Sequence, residues 1–98
     1  MNCNVSEKTF ELGERRRVTL KVWLNDDTGF SLSDAAWTLF KGPADTEESQ
    51  GACVVTQQDK AFYLVAEVQP LTKGLYRLQY SFNVATEIIK RSVTIKVV

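Results

Sequence analysis

Histidine is missing from this chain altogether, while cysteine and proline occur twice each and glycine five times in 98 residues. Without histidine the usual base of a nucleophilic serine or cysteine is absent, so triad chemistry in its ordinary form is excluded. Cys3 and Cys53 match no zinc-ligand spacing and have no imidazole to complete a site. Both are expected to be free thiols of a reducing compartment. Net charge is lacking too: 12 Lys and Arg against 12 Asp and Glu sum to zero. A neutral chain loses the long-range attraction that draws basic proteins to nucleic acid or anionic membranes. No apolar run approaches the ~20 residues of a membrane-spanning helix, and the opening MNCNVSEKTF lacks the basic-then-apolar order of a secretory signal. The expectation is cytoplasmic synthesis, with neither membrane insertion nor a nucleic-acid partner.

What is present suits a folded β domain. An apolar fraction of 44% with 24% charge is the composition of a globular chain. Residues 1–98 are read as one domain, burying roughly two-thirds of the surface that the unfolded chain exposes. Strict alternation in ERRRVTLKVWLN sets Val18, Leu20, Val22 and Leu24 on one face and Arg17, Thr19, Lys21 and Trp23 on the other, which is a strand period. NDDTG then reads as a turn. A further strand carries Ala35, Trp37 and Leu39 on a shared face and stops at Gly42 and Pro43. ADTEESQ reads as a polar loop. ACVVTQ, with Cys53 and Val55 on one face, and KAFYLVAEV, with Phe62, Leu64, Ala66 and Val68 together, form two strands joined at Gln58-Asp59. GLYRLQYSFNV groups Tyr76, Leu78, Tyr80, Phe82 and Val84 in a central strand. EIIKRSVTIKVV closes with Val93, Ile95 and Val97, after a hairpin loop from Asn83 to Glu87. With KTFEL near the start the total is about seven strands, the number and turn spacing of a sandwich. One short helical turn is expected, at Pro70 in EVQPLTKG.

Residues that could carry chemistry reduce to ordinary surface features. Asp26-Asp27 and Glu47-Glu48 fall in polar loops, where solvated carboxylates do not acquire the shifted pKa of acid/base catalysis. Asn25, Asp26 and Asp27 offer too few spaced oxygens for calcium. Arg15, Arg16 and Arg17 form the one basic run, but Glu11 and Glu14 adjoin it, and a charged strand start that discourages edge pairing accounts for it. The expectation is therefore no enzyme, no catalytic residue, no metal and no cofactor.

Two groups of residues remain. Leu71, Gly74 and Tyr76 in LTKGLY follow the order of the tyrosine corner in Greek-key sandwiches, where the hydroxyl bonds to backbone upstream. Trp37 on an inner-facing strand fits the tryptophan at the centre of immunoglobulin sandwiches, although the antibody cysteine pair is absent. Alternation leaves Trp23, Phe40 and Tyr63 facing outward. If they cluster they form a contact surface; if they lie apart they are scattered surface aromatics.

The order of these features resembles that of the small immunoglobulin-like domains of phage and prophage structural proteins, such as the N-terminal domain of baseplate upper proteins. Leu32, Ala35 and Trp37 match the Leu-Thr-Gly-Ala-like step of that family, and Leu71, Gly74 and Tyr76 match its Leu-x-x-Gly-x-Tyr step. Asp34 stands where the family has glycine. The resemblance implies an all-β, immunoglobulin-like Greek-key sandwich serving as a rigid virion attachment or assembly module. Its partners would be other protein subunits, a homo-oligomer among them. Two other classes stay open: a carbohydrate-binding module using the outward aromatics, and an intracellular inhibitor or adaptor presenting a loop such as Gly42 to Gly51.

Overall fold

A computed structural model describes residues 1–24 and 29–98. The turn expected at NDDTG, and with it the oxygens of Asn25, Asp26 and Asp27, lies largely outside the described residues. Nine strands are described: β1 (Asn2–Asn4), β2 (Lys8–Phe10), β3 (Arg16–Trp23), β4 (Leu32–Lys41), β5 (Thr46–Ala52), β6 (Val54–Gln58), β7 (Ala61–Val68), β8 (Gly74–Val84) and β9 (Glu87–Val97). They form two sheets, a four-stranded one in the order β1-β3-β7-β6 and a five-stranded one in the order β2-β9-β8-β4-β5. All pairs are antiparallel except β2 with β9. Among the described residues no helix is long and apolar enough to cross a membrane.

The alternating faces meet between the sheets, as sheets with one wet side require. Val18, Leu20 and Val22 of β3 and Leu64, Ala66 and Val68 of β7 pack on Tyr76, Leu78, Tyr80 and Phe82 of β8 and on Val93, Ile95 and Val97 of β9. β8 lies in the middle of its sheet, as its long apolar face requires. Phe10, fully buried, adds β2 to this core. The Tyr80 hydroxyl donates to the Val18 carbonyl across the sandwich at 2.5 Å. That bond satisfies the one polar atom of a buried ring and ties the two sheets together.

Five sequence expectations need correction. The hairpin loop expected from Asn83 to Glu87 narrows to Ala85 and Thr86, because Asn83 pairs with Ile88 and Val84 with Glu87. ADTEESQ is not a loop: a turn takes Gly42 to Asp45, and Thr46 begins β5, an edge strand antiparallel to β4. Both faces of β5 are largely wet, so it has no apolar alternation to betray it. ACVVTQ is not one strand. The chain leaves the five-stranded sheet at Ala52 and enters the four-stranded sheet at Val54, while the Cys53 N–H is held by the Ala35 carbonyl at 3.0 Å. Asn2 to Asn4 adds a short strand, so nine replace about seven. No helical turn forms at Pro70: residues 71–73 are a bend that leads into β8, and the N–H groups of Leu71 and Thr72 donate to Glu48 and Tyr76.

β4 also begins earlier than its alternation suggests. Leu32 and Trp37 have opposite parity, yet both pack toward the core. A bulge between Ser33 and Ala36 reverses the parity, with Asp34 at φ 54°. This left-handed conformation is natural to glycine and tolerated by aspartate, and Asp34 Oδ2 accepts a hydrogen bond from Asn83 Nδ2 at 2.9 Å.

Candidate functional site

The three outward aromatics do not form one surface. β3 pairs with β7 so that Lys21 lies opposite Tyr63, which sets Trp23 diagonal to Tyr63 on the outer face of the four-stranded sheet. Lys21 Nζ lies 4.9 Å from the Trp23 ring centroid, so a cation already covers that ring. Phe40 instead lies opposite Arg77 on the outer face of the five-stranded sheet. The Arg77 guanidinium sits 4.3 Å from the Phe40 centroid. It is held there by both Asp45 oxygens, at 3.1 and 2.7 Å, and by Ser92 Oγ at 3.0 Å. The same hydrogen bonds lower the Asp45 pKa and raise that of Arg77. Phe40 is therefore covered on the opposite side of the molecule, and a flat platform of three aromatics does not exist.

A groove of about 570 Å³ lies where β5 crosses to β6. Trp37 forms one wall, because Gly51 on the neighbouring strand leaves room for the indole: a Cβ there would lie 3.0 Å from the ring. Val54, Thr56 and Val65 line the other side, and Arg17 and Glu67 close it. Glu67 is paired with Arg15 at 3.1 Å on the surface. A shallower depression of about 240 Å³ continues past Arg17 to Thr19, Lys21 and Tyr63. The outer face of this sheet thus runs from a charged side at β3 to an uncharged side at β6. Val54 is 66% exposed and Val55 39%.

The Leu71, Gly74 and Tyr76 step is built around the tyrosine hydroxyl. The Thr72 N–H donates to Tyr76 Oη at 3.1 Å. The hydroxyl donates in turn to Glu48 Oε1 at 2.9 Å. Having spent its proton, it accepts from Thr72 Oγ1 at 2.9 Å. Glu48 Oε2 accepts from the Leu71 N–H at 3.2 Å, so one carboxylate of β5 fixes the approach to β8. Gly74 takes φ 129°, and Lys41 Nζ, over the Tyr76 ring at 4.7 Å, donates to the Lys73 carbonyl at 2.6 Å. The Leu71 side chain itself is exposed. Sequence reasoning did not foresee Glu48, since a carboxylate in an uninterrupted polar stretch gives no sign of its partner.

Cys3 and Cys53 are free thiols. Burial pushes the Cys53 thiol up to about 11. Burial likewise raises Cys3, against the opposing effect of Arg91. Neither therefore has the lowered pKa of a nucleophilic cysteine. Among the described residues, the outer face of the four-stranded sheet thus carries an amphipathic groove and ends in the exposed strand β6.

No protein-family model matches the chain, and no curated protein does. Among solved structures it is similar to an engineered protein from the Northeast Structural Genomics Consortium, with a TM-score of 0.66 at 11% identity over 99% of this chain. The chain spans 20% of that protein's length. A likeness at this identity speaks to the two-sheet fold alone.

Proposed function

We propose that the chain is an immunoglobulin-like, non-enzymatic module that works through protein-protein contacts as a structural or assembly component of a phage or prophage virion. The observation that carries the reading is the bulge at Asp34. The family's pattern has glycine at this step, and here the backbone takes the left-handed conformation that glycine favours, with Leu32, Ala35 and Trp37 directed toward the core around it. The strand orders support it further. Labelled in chain order with the first two strands as A and A′, the sheets read A-B-E-D and A′-G-F-C-C′, an immunoglobulin-type arrangement with one added strand beside C. The tyrosine hydroxyl bonded four residues upstream agrees with the second step of the pattern.

Such a module acts by presenting edges and faces of a rigid sandwich to neighbouring subunits. The Gly42 to Gly51 stretch forms a four-residue turn and most of β5, a shape that favours strand contacts over the protruding loop an inhibitor would insert. Light scattering of the purified chain over a hundredfold concentration range tests the reading. A closed or concentration-dependent oligomer supports it, as does a gene neighbourhood of tail and capsid components. A strict monomer that binds glycans through Trp23 and Tyr63 overturns it.

A further inference from the structure

β6 is one of the two edge strands of the four-stranded sheet and pairs there with β7 on one side. Asp59 and Lys60 take φ 50° and 63°, the two left-handed residues of a two-residue hairpin turn. Gln58 and Ala61 flank that turn and lie opposite one another, which makes them a hydrogen-bonded pair. Antiparallel alternation then directs the backbone groups of Thr56 and Val54 toward Tyr63 and Val65, and those of Val55 and Gln57 away from the sheet.

Proteins usually blunt such an edge by shortness, charge or proline. β1 and β2 are three residues long, and β5 carries Glu47 and Glu48. β6 has none of these devices. It is VVTQQ, uncharged and free of proline, and all five residues are exposed.

We infer that β6 pairs with β6 of a second copy of this chain, antiparallel about a two-fold axis at Thr56, joining two four-stranded sheets into one. The inference rests on the reading that the chain acts by protein contacts. The hydrogen-bond phase limits the register, and of the registers it allows, the one centred on Thr56 pairs all five residues of β6. With Thr56 opposite its own copy, Val55 lies opposite Gln57, and these are the residues whose N–H and C=O groups point outward. Each such pair exchanges two bonds, and the symmetry makes two pairs. Any register shifted by one residue would set outward groups against inward ones. Val54 falls opposite Gln58, and the pairing places no charge of β6 against a like charge. The zero net charge of the chain removes long-range repulsion between copies.

Thr56→Lys sets two ammonium groups facing each other on the axis without touching the core. Gln57→Pro deletes an outward N–H and spares those bonded to β7. Both variants are checked for native circular dichroism and then measured by sedimentation equilibrium beside the unaltered chain. The expected result is a dimer for the latter and dimerisation weakened about tenfold or more in each variant. In a Cys3→Ser, Cys53→Ser background, Thr56→Cys should form a disulfide-linked dimer under mild oxidation, because facing residues of a non-hydrogen-bonded pair lie about 4.5 Å apart. An oligomer that persists in Thr56→Lys and fails to cross-link at Thr56→Cys overturns the β6 contact and leaves the assembly reading standing. A strict monomer overturns the β6 contact too, and the assembly reading falls with it only if glycan binding is also found.

Discussion

Asp34 concentrates the backbone demands of β4 in one residue. Its left-handed φ allows Leu32 and Trp37 to pack inward from positions of opposite parity, and its carboxylate holds Asn83 of β8. An exposed residue with this conformation is best replaced by glycine and worst by a β-branched side chain. Asp34→Gly is expected to leave stability within about 1 kcal/mol of the parent, since relief of the backbone offsets the lost hydrogen bond. Asp34→Val should cost about 2 kcal/mol through the left-handed penalty and the same lost bond. Urea denaturation midpoints of the three proteins check the order. Equal midpoints for Asp34→Val and Asp34→Gly would remove the conformational argument.

At the scale of strands, Glu48 connects a sheet edge to the loop before β8. Its carboxylate accepts from both the Tyr76 hydroxyl and the Leu71 N–H. Glu48→Ala should destabilise the chain by about 1–2 kcal/mol and speed hydrogen exchange at the Leu71 amide, with the amides of β3 and β7 little changed. The elements that alternation revealed are those with one buried face: β3, β7, β8 and the end of β9, where Val18 to Val22, Phe62 to Val68, Tyr76 to Phe82 and Val93 to Val97 alternate between core and surface. β5 stayed hidden because TEESQGA has no apolar face to read, its place being set by pairing with β4. The crossing at Cys53 is silent in the sequence because it preserves local alternation while changing the partner strands. The alternation that turns Trp23, Phe40 and Tyr63 outward carries no information on which of the two outer faces each occupies, because that depends on sheet assignment. The β6 edge was likewise invisible, since an unpaired backbone has no side-chain signature.

For the molecule as a whole, the bond from Tyr80 to Val18 links the sheets through the core and gives stability an alkaline limit. Burial raises the Tyr80 pKa well above its ordinary 10.0, and that of Cys53 from 9.0 to about 11. Both groups hold their protons more tightly folded than unfolded. Their contribution is therefore fully present below the unfolded pKa values and is lost as pH rises through the folded ones. Denaturation midpoints should stay level from about pH 7 to 8.5 and decline from about pH 9 upward. Tyr80→Phe should lower stability by about 1–3 kcal/mol at pH 7, because the Val18 carbonyl loses its donor. It should also flatten the alkaline decline. A parent protein whose midpoint is constant to pH 11 would refute the assignment.

The parallel pairing of β2 with β9, from Lys8 beside Ile95 to Phe10 beside Val97, acquires a meaning when the chain is loaded mechanically. Tension applied at the two ends first peels the three residues of β1 from β3. It then pulls β2 and β9 in opposite directions along their common axis, shearing the slanted hydrogen bonds between them. Bonds in that orientation share the load and fail together, whereas those of a hairpin opened from its ends break one at a time. Phe10, sunk in the core at the end of β2, must be drawn out in the same event. Stretched between two neighbours, the domain would yield in a single abrupt step rather than unravel gradually.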